Sequence, residues 1–220
     1  MTRRLLLAAL VALLGAASAC SAQAGGIEVD AGAVPGTAAD SGRPSIAVIG
    51  DSITEQSADE LETAAARRGF DVDVDATAGF MTREKQDAAE AAAGRAPDAA
   101  VIALGTNDAV CQLTNALISG SCRYPGFTIA DMEADLTTMA QTLGATTPCV
   151  VGVTAYFGEE VGEHHRVLVD RGLLAGIVDW RSFVLTDDSL RADGIGHLTT
   201  TGEAAYAEFV VDETARICGL

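Results

Sequence analysis

The sequence predicts an α/β protein built around a parallel β-sheet that helices cover. Short apolar segments typical of buried strands recur along residues 45–220. Segments with helical spacing of apolar residues, or rich in alanine, lie between them. Strands that alternate with helices form parallel β-α-β units. A chain of this length can bury a core, so we expect residues 45–220 to form one domain.

The first strand is predicted at residues 45–49, an apolar run that ends at Gly50. Residues 58–68 place leucine and alanine at helical spacing and stop at Gly69, which is typical of a helix end. Residues 71–76 alternate Asp with Val or Ala, which predicts a strand with one face in solvent. The pattern therefore opens as strand, helix, strand.

The middle of the chain continues the alternation. The alanine-rich residues 82–93 predict a helix, and the apolar residues 99–104 predict a buried strand. Residues 128–143 place Ile and Met at helical spacing, with Gly144 as the expected cap. Residues 150–155 predict the fourth strand.

The last part predicts a helix at residues 162–174, a short strand at 176–180 and a closing helix at 201–217. In open sheets of parallel strands, ligands bind beyond the carboxyl ends of the strands. Polar residues that follow these strands are therefore the candidates for a functional site.

The N-terminal residues 1–20 have the composition of a secretory signal peptide: basic, then apolar, then small. The small residues before Cys20 resemble a lipobox, in which the cysteine becomes the lipidated first residue; cleavage after Ala19 or Ala24 is the alternative. Residues 21–44 are rich in Ala, Gly and Ser and predict a flexible linker. We expect an exported protein, either lipid-anchored on the outer face of the cell membrane or secreted.

The charge balance excludes nucleic acid as an expected partner, because the formal net charge is −17 and Lys85 is the single lysine. We expect a monomer. Besides Cys20, an even number of cysteines remains, which suggests two disulfides in an exported protein. Three pairings are possible, with buried free thiols as the alternative; we favour Cys111–Cys122 and Cys149–Cys218.

A candidate nucleophile follows the first strand in Gly50-Asp51-Ser52. A serine at this point has its hydroxyl at the open edge of the sheet, and its backbone N–H can meet a developing oxyanion. The alternative is that Ser52 only caps the next helix. The Gly-x-Ser-x-Gly elbow of α/β-hydrolases is absent, because Thr54 stands where the second glycine belongs.

Further candidates follow the second and third strands. Gly79 offers a backbone N–H, and Asn107 offers an amide that could donate to the same oxyanion. The alternative is that Asn107 and Asp108 only form a turn.

A base for the serine must be a histidine, and the chain has three. His164 and His165 stand among charged residues, which predicts a solvated surface pair. His197 lies just before the last helix, in a glycine-bearing turn with Asp193. An imidazole can accept the serine proton while a carboxylate fixes its tautomer.

In this order, these residues resemble the blocks of the SGNH hydrolases, also called GDSL-type esterases and lipases. The matching positions are Gly50-Asp51-Ser52, Gly79, Gly105-Thr106-Asn107-Asp108, and Asp193 with His197. The resemblance implies a three-layer α/β/α sandwich, flavodoxin-like, with five parallel strands in the order 2-1-3-4-5. It also implies Ser52 as nucleophile, His197 as base, Asp193 as its orienting carboxylate, and an oxyanion hole formed by Ser52, Gly79 and Asn107.

One feature departs from the family pattern, since Asp193-x-x-x-His197 is one residue longer, with Gly196 as the apparent insertion. Gly194 and Gly196 could let the turn absorb the extra residue. Alternatively, Asp187, Asp188 or a backbone carbonyl orients the histidine.

The resulting expectation is a serine esterase that hydrolyses short acyl esters, on small molecules or polysaccharides, without a metal or organic cofactor. An O-acyltransferase on the same site and a non-catalytic binding module of this fold are the alternatives.

Overall fold

The computed structural model describes residues 42–117 and 122–220. The predicted signal peptide, residues 1–20 with Cys20, lies outside the described residues, as does the predicted linker apart from residues 42–44. Among the residues that are described, no helix has both the length and the apolar character to cross a membrane.

A five-stranded, wholly parallel sheet forms the centre of the domain, in the order β2-β1-β3-β4-β5. The predicted fold class and strand order are thus confirmed. The strands β1, after Ser45, and β3 are apolar and buried on both faces, as is typical of covered parallel sheets. The strands are β1 Ser45–Gly50, β2 Asp71–Ala76, β3 Ala99–Ala103, β4 Val150–Val153 and β5 Gly176–Val178.

Helices cover both faces of this sheet and form two separate cores. One core includes Leu61 and Val210, and the other includes Met132 and Leu168. The helices are α1 Ser52–Gln56, α2 Ala58–Arg68, α3 Gln86–Arg95, α4 Thr106–Leu117, α5 Ile129–Gly144, α6 Glu159–Asp170, α7 Trp180–Val184 and α8 Thr200–Cys218, with 3-10 turns at Thr82–Lys85 and Asp188–Leu190.

Several predicted boundaries differ from the observed ones. The helix expected at 162–174 is α6, Glu159–Asp170, because Val161, His165 and Leu168 share the face that packs on the sheet. The strand expected at 176–180 ends at Val178, because Asp179 caps α7 by accepting a hydrogen bond from the Ser182 N–H, 3.3 Å away.

Both favoured disulfides are present. Cys111–Cys122 joins α4 to the segment before α5, with its Cα atoms 5.1 Å apart. Cys149–Cys218 joins the start of β4 to the end of α8, with its Cα atoms 5.7 Å apart. Both separations lie in the usual range for disulfides.

Candidate active site

The turn between β1 and α1 brings Ser52 to the open edge of the sheet. Asp51 caps α1, because its Oδ1 accepts a hydrogen bond from the Ile53 N–H at 3.1 Å. The turn is so tight that a Cβ built on Gly50 would lie 2.2 Å from Thr54 Oγ1, so only glycine fits there. The cap is therefore Asp51, and the Ser52 side chain is left for another partner.

That partner is His197, whose Nε2 lies 3.1 Å from Ser52 Oγ. The two residues are 145 positions apart in the sequence. The contact is fixed from the α1 side as well, since the Leu198 N–H donates to Gln56 Oε1 at 3.3 Å. The predicted nucleophile and the predicted base are thus within hydrogen-bonding distance.

Asp193 holds the other side of the imidazole, with its Oδ2 2.5 Å from His197 Nδ1. Its Oδ1 accepts the backbone N–H groups of Ile195, Gly196 and His197, each at 3.0 Å. Burial opposes ionisation of this carboxyl, but the bonds from His197 and the turn outweigh it and hold its pKa below the usual value. The extra residue in the Asp–His spacing thus leaves the carboxylate in contact with the ring.

The alternative carboxylates have other partners. Asp187 Oδ1 accepts the Ser189 N–H at 2.9 Å, and Asp188 forms an ion pair with Arg191. The structure therefore brings Asp193 to His197 and keeps Asp187 and Asp188 elsewhere in the loop before it.

The turn that carries the candidate base His197, residues 191–198, is closed on itself and is named here the histidine turn. Arg191 pairs with Leu198 in an isolated antiparallel bridge, and the Ala192 N–H donates to the His197 carbonyl at 2.7 Å. Gly196 has a φ of +104°, in the region that favours glycine. Its left-handed conformation is what lets three successive N–H groups converge on one carboxylate oxygen.

The predicted oxyanion donors lie on the three neighbouring strand ends. Ser52 follows β1, Gly79 follows β2, and Asn107 lies in the first turn of α4 after β3. Asn107 Nδ2 donates to the Phe80 carbonyl at 3.0 Å, which leaves its second N–H for another acceptor. Within the described residues, neither the Ser52 N–H nor the Gly79 N–H has a hydrogen-bond acceptor.

Two buried carboxyls at the strand ends were not assigned a role from the sequence. Burial raises the pKa of Asp51 to about 6, partly offset by hydrogen bonds from Ile53 and Thr106. Burial likewise raises the pKa of Asp108 to about 6, although Thr82 donates to it through both its N–H and its hydroxyl. These carboxyls anchor the starts of α1 and α4, which carry Ser52 and Asn107. Their position directly beside the candidate residues was the available signal.

The prediction for His164 and His165 was wrong, because both side chains are buried. His164 Nε2 lies 3.2 Å from Thr137 Oγ1, between α6 and α5. His165 packs against Gly152 of β4, and burial lowers its pKa to about 3. The spacing of His165 from Val161 and Leu168 places all of them on one helix face, a signal that the neighbouring charges obscured.

A metal centre has no support in the part of the chain that the structure describes, where no cluster of at least three His, Cys, Asp or Glu side chains could hold an ion.

Comparison with known proteins finds similarity in structure alone. No family model matches the sequence, and no curated protein matches it. Among solved structures, the chain resembles LAE5, an α/β hydrolase from the metagenome of Lake Arreo, with a TM-score of 0.62 at 16% identity, over 79% of this chain and 96% of LAE5.

Two further structures carry more specific descriptions. Axe2, an acetylxylan esterase from Geobacillus stearothermophilus, matches with a TM-score of 0.60 at 16% identity over 80% of this chain and 94% of Axe2. A protein described as a GDSL-like lipase, from Parabacteroides merdae, matches with a TM-score of 0.59 at 17% identity over 79% of this chain and 96% of its own. At such identities a match establishes the fold, and the chain has the fold of the GDSL-type, or SGNH, hydrolases.

Proposed function

We propose that the chain is a serine esterase that hydrolyses carboxylic esters through an acyl-serine intermediate. The observation that carries the proposal is the continuous series of contacts from Ser52 Oγ to His197 Nε2, and from His197 Nδ1 to Asp193 Oδ2. Serine, imidazole and carboxylate in this order form a catalytic triad, which is recognised by geometry and roles.

In the acylation step, Ser52 Oγ attacks the ester carbonyl carbon while His197 Nε2 accepts the hydroxyl proton. Asp193 accepts the Nδ1–H bond, which fixes the tautomer and stabilises the imidazolium. The imidazolium then donates its proton to the leaving alkoxide. A water molecule attacks the acyl-serine in the same manner and releases the acid.

The negative charge on the tetrahedral intermediate needs donors that are already in place. We assign this role to the N–H groups of Ser52 and Gly79 and to Asn107 Nδ2. Removal of one such donor typically lowers kcat about 100- to 1000-fold. Among the described residues, the Ser52 and Gly79 N–H groups at the ends of neighbouring strands have no acceptor, which supports this assignment.

We further propose a short acyl group, on a small molecule or a polysaccharide, as the substrate class. The aromatic content of 5% offers little surface for a long acyl chain. The acetyl ester that Axe2 is described as cleaving is of this kind.

Export, with either a lipid anchor at Cys20 or release from the cell, is proposed on two grounds. The sequence of residues 1–20 has the composition of a signal peptide, and two disulfides are typical of proteins in oxidising compartments.

The proposal is tested by p-nitrophenyl acetate hydrolysis with wild type, Ser52→Ala, His197→Ala and Asp193→Asn. We expect the first two variants to fall to background. Asp193→Asn keeps an oxygen for the turn N–H groups but presents an amide to Nδ1, which favours the wrong tautomer of His197. The variant should therefore fold normally and lose about 10⁴-fold in kcat.

A wild-type rate equal to that of Ser52→Ala, on acetyl and longer esters, would contradict esterase activity. Rates that rise when sugar acceptors replace water would then indicate an O-acyltransferase. Binding of an ester without turnover in either assay would indicate a binding module.

A further inference from the structure

The loop that carries Gly79, residues 77–81 (the oxyanion loop), is held from several sides. The Ala78 N–H donates to Glu55 Oε2 at 3.1 Å, and the Met81 N–H donates to Glu84 Oε2 at 2.8 Å. These bonds hold the loop before and after Gly79, as does the bond from Asn107 Nδ2 to the Phe80 carbonyl. The Phe80 N–H also donates to the Thr77 carbonyl at 3.2 Å. A further anchor is a bond to the Gly79 carbonyl itself.

That anchor is Arg123. Its Nη2 donates to the Gly79 carbonyl at 2.9 Å, and its Nη1 donates to Glu84 Oε1 at 2.6 Å. Tyr124 Oη donates to the same Glu84 oxygen at 3.1 Å. The planar guanidinium of Arg123 thus connects the Gly79 carbonyl to Glu84, the carboxylate that accepts the Met81 N–H at the end of the loop. Two parallel donors of this kind are characteristic of arginine.

The disulfide Cys111–Cys122 lies directly next to this arginine. Cys122 directly precedes Arg123 in the sequence, and Cys111 lies on α4 one helical turn after Asn107. The cross-link therefore joins α4, which carries Asn107, to the residue before Arg123, whose side chain holds the Gly79 carbonyl.

We infer that Arg123 is a positioning residue for the oxyanion hole and that Cys111–Cys122 keeps it in place; this rests on the proposed esterase function. An oxyanion donor must lie within about 2.7–3.1 Å of the developing charge, so a small rotation at Gly79 would remove its N–H from range. Arg123 is 53% exposed in its ion pair and Glu84 is 14% exposed. Because one partner is solvated, we expect the pair to contribute modestly to stability. Its expected effect is on the reaction.

The first test compares kcat and KM of the full chain with those of Arg123→Gln and Arg123→Lys. Arg95→Gln is the matched control, because Arg95 is 52% exposed in its ion pair with Asp73 and Arg123 is 53% exposed in its pair with Glu84. We expect Arg123→Gln to lower kcat by roughly tenfold with KM changed less than about twofold, since the lost contact acts in the transition state. Arg123→Lys should be intermediate because it lacks the fork.

The second test separates the cross-link from general stabilisation. Cys111→Ser/Cys122→Ser should lower kcat, whereas Cys149→Ser/Cys218→Ser should lower Tm and leave kcat unchanged. Adding Arg123→Gln to the first pair should lower kcat by clearly less than the product of the separate effects, because both changes act on one contact.

Equal kcat for Arg123→Gln and Arg95→Gln would overturn the inference, as would loss of activity that only follows loss of Tm. Labelling of Ser52 by a fluorophosphonate reports separately on the proposed function. An active, labelled wild type with an Arg123 variant of full kcat refutes the inference alone. A wild type with neither activity nor labelling refutes both.

Discussion

The extra residue in the histidine turn gives the sharpest prediction, through Gly196→Ala. A Cβ built on Gly196 would lie 2.9 Å from Tyr156 Cβ, and the residue has a φ of +104°. Tyr156 is itself held by two arginines, since Arg181 donates to its carbonyl and Arg191 to its hydroxyl. Alanine at position 196 would therefore have an unfavourable backbone conformation and a steric clash with Tyr156, whose position is fixed by these two hydrogen bonds.

The magnitude follows from these two effects. An L-residue in the left-handed region costs about 1–2 kcal/mol, and overpacking a tight contact costs typically ~1–3 kcal/mol. The turn can relieve the strain only by moving, which shifts His197 relative to Ser52. A displacement on the order of 1 Å can cost roughly 100-fold in rate. At about 2–4 °C per kcal/mol for a domain of this size, Tm should fall by several degrees.

The matched control lies two positions away in the same turn. A Cβ on Gly194 would have no heavy atom within 4 Å, and Gly194 is not among the described residues with positive φ. We expect Gly194→Ala to retain wild-type kcat and Tm. The assay is ester hydrolysis with kcat and KM, beside thermal unfolding of each variant.

Partial recovery of kcat is expected when Tyr156→Ala is combined with Gly196→Ala, because the contacts with Tyr156 Cδ1 at 3.0 Å and Cγ at 3.3 Å are then removed, whereas the contact with Cβ and the backbone penalty remain. The reasoning is refuted if Gly196→Ala keeps full kcat, or if Gly194→Ala impairs the enzyme equally. Either result would mean that the orientation of His197 does not depend on the geometry of this turn.

Three further predictions concern buried groups and the second disulfide. Burial raises the pKa of Asp51 from 3.8 to about 6, so the stability that its protonation contributes is lost as pH rises through about 6. Asp51→Asn does not ionise, and urea unfolding should therefore show it to be more stable than wild type at pH 8 but not at pH 4. Burial lowers the pKa of His165 from 6.5 to about 3, so this side chain stays neutral in the folded protein while it becomes protonated in the unfolded chain below pH 6.5. The free energy of unfolding should therefore fall by ~1.4 kcal/mol per pH unit below 6.5. The same urea titrations should show that His165→Leu abolishes this slope. Cys149→Ser/Cys218→Ser opens a cross-link spanning 69 positions and should cost ~4 kcal/mol in the free energy of unfolding; equal Tm values for variant and wild type would contradict this.

The sequence predicts the sheet well because its strands are short apolar runs, or in β2 a regular alternation of Asp with Val or Ala, with clear ends. The bounds of β2 and α2 match the expectation, and β1 differs by one residue. The helix α4, Thr106–Leu117, was not predicted. The helices α1 and α7 were missed because five residues are too few to show a helical period. Their starts are fixed by caps, from Asp51 and Asp179, and an aspartate after a strand is equally typical of a simple turn.

The candidate site was predictable to the extent that it lies at strand ends. Ser52 and Asn107 directly follow β1 and β3, so the topology of a parallel sheet brings them to one edge. Arg123 could not be found in this way. It contacts Gly79 across 44 positions of sequence, and no periodicity predicts such a contact.

The spacing of Asp193 and His197 shows that the number of residues between a carboxylate and a histidine does not by itself decide whether the two side chains are in contact. An orienting carboxylate must reach Nδ1 with one oxygen, and this requirement fixes the end of the turn but not its length. In this chain Asp193 Oδ1 accepts hydrogen bonds from three consecutive N–H groups, which stabilise the longer turn. Asp193 Oδ2 remains 2.5 Å from His197 Nδ1. The conformation is open to the chain because the added position is glycine, at a φ of +104°. An insertion of any residue with a side chain at that position would meet Tyr156, so the identity of the added residue, rather than the number of residues, decides whether this carboxylate can serve the histidine.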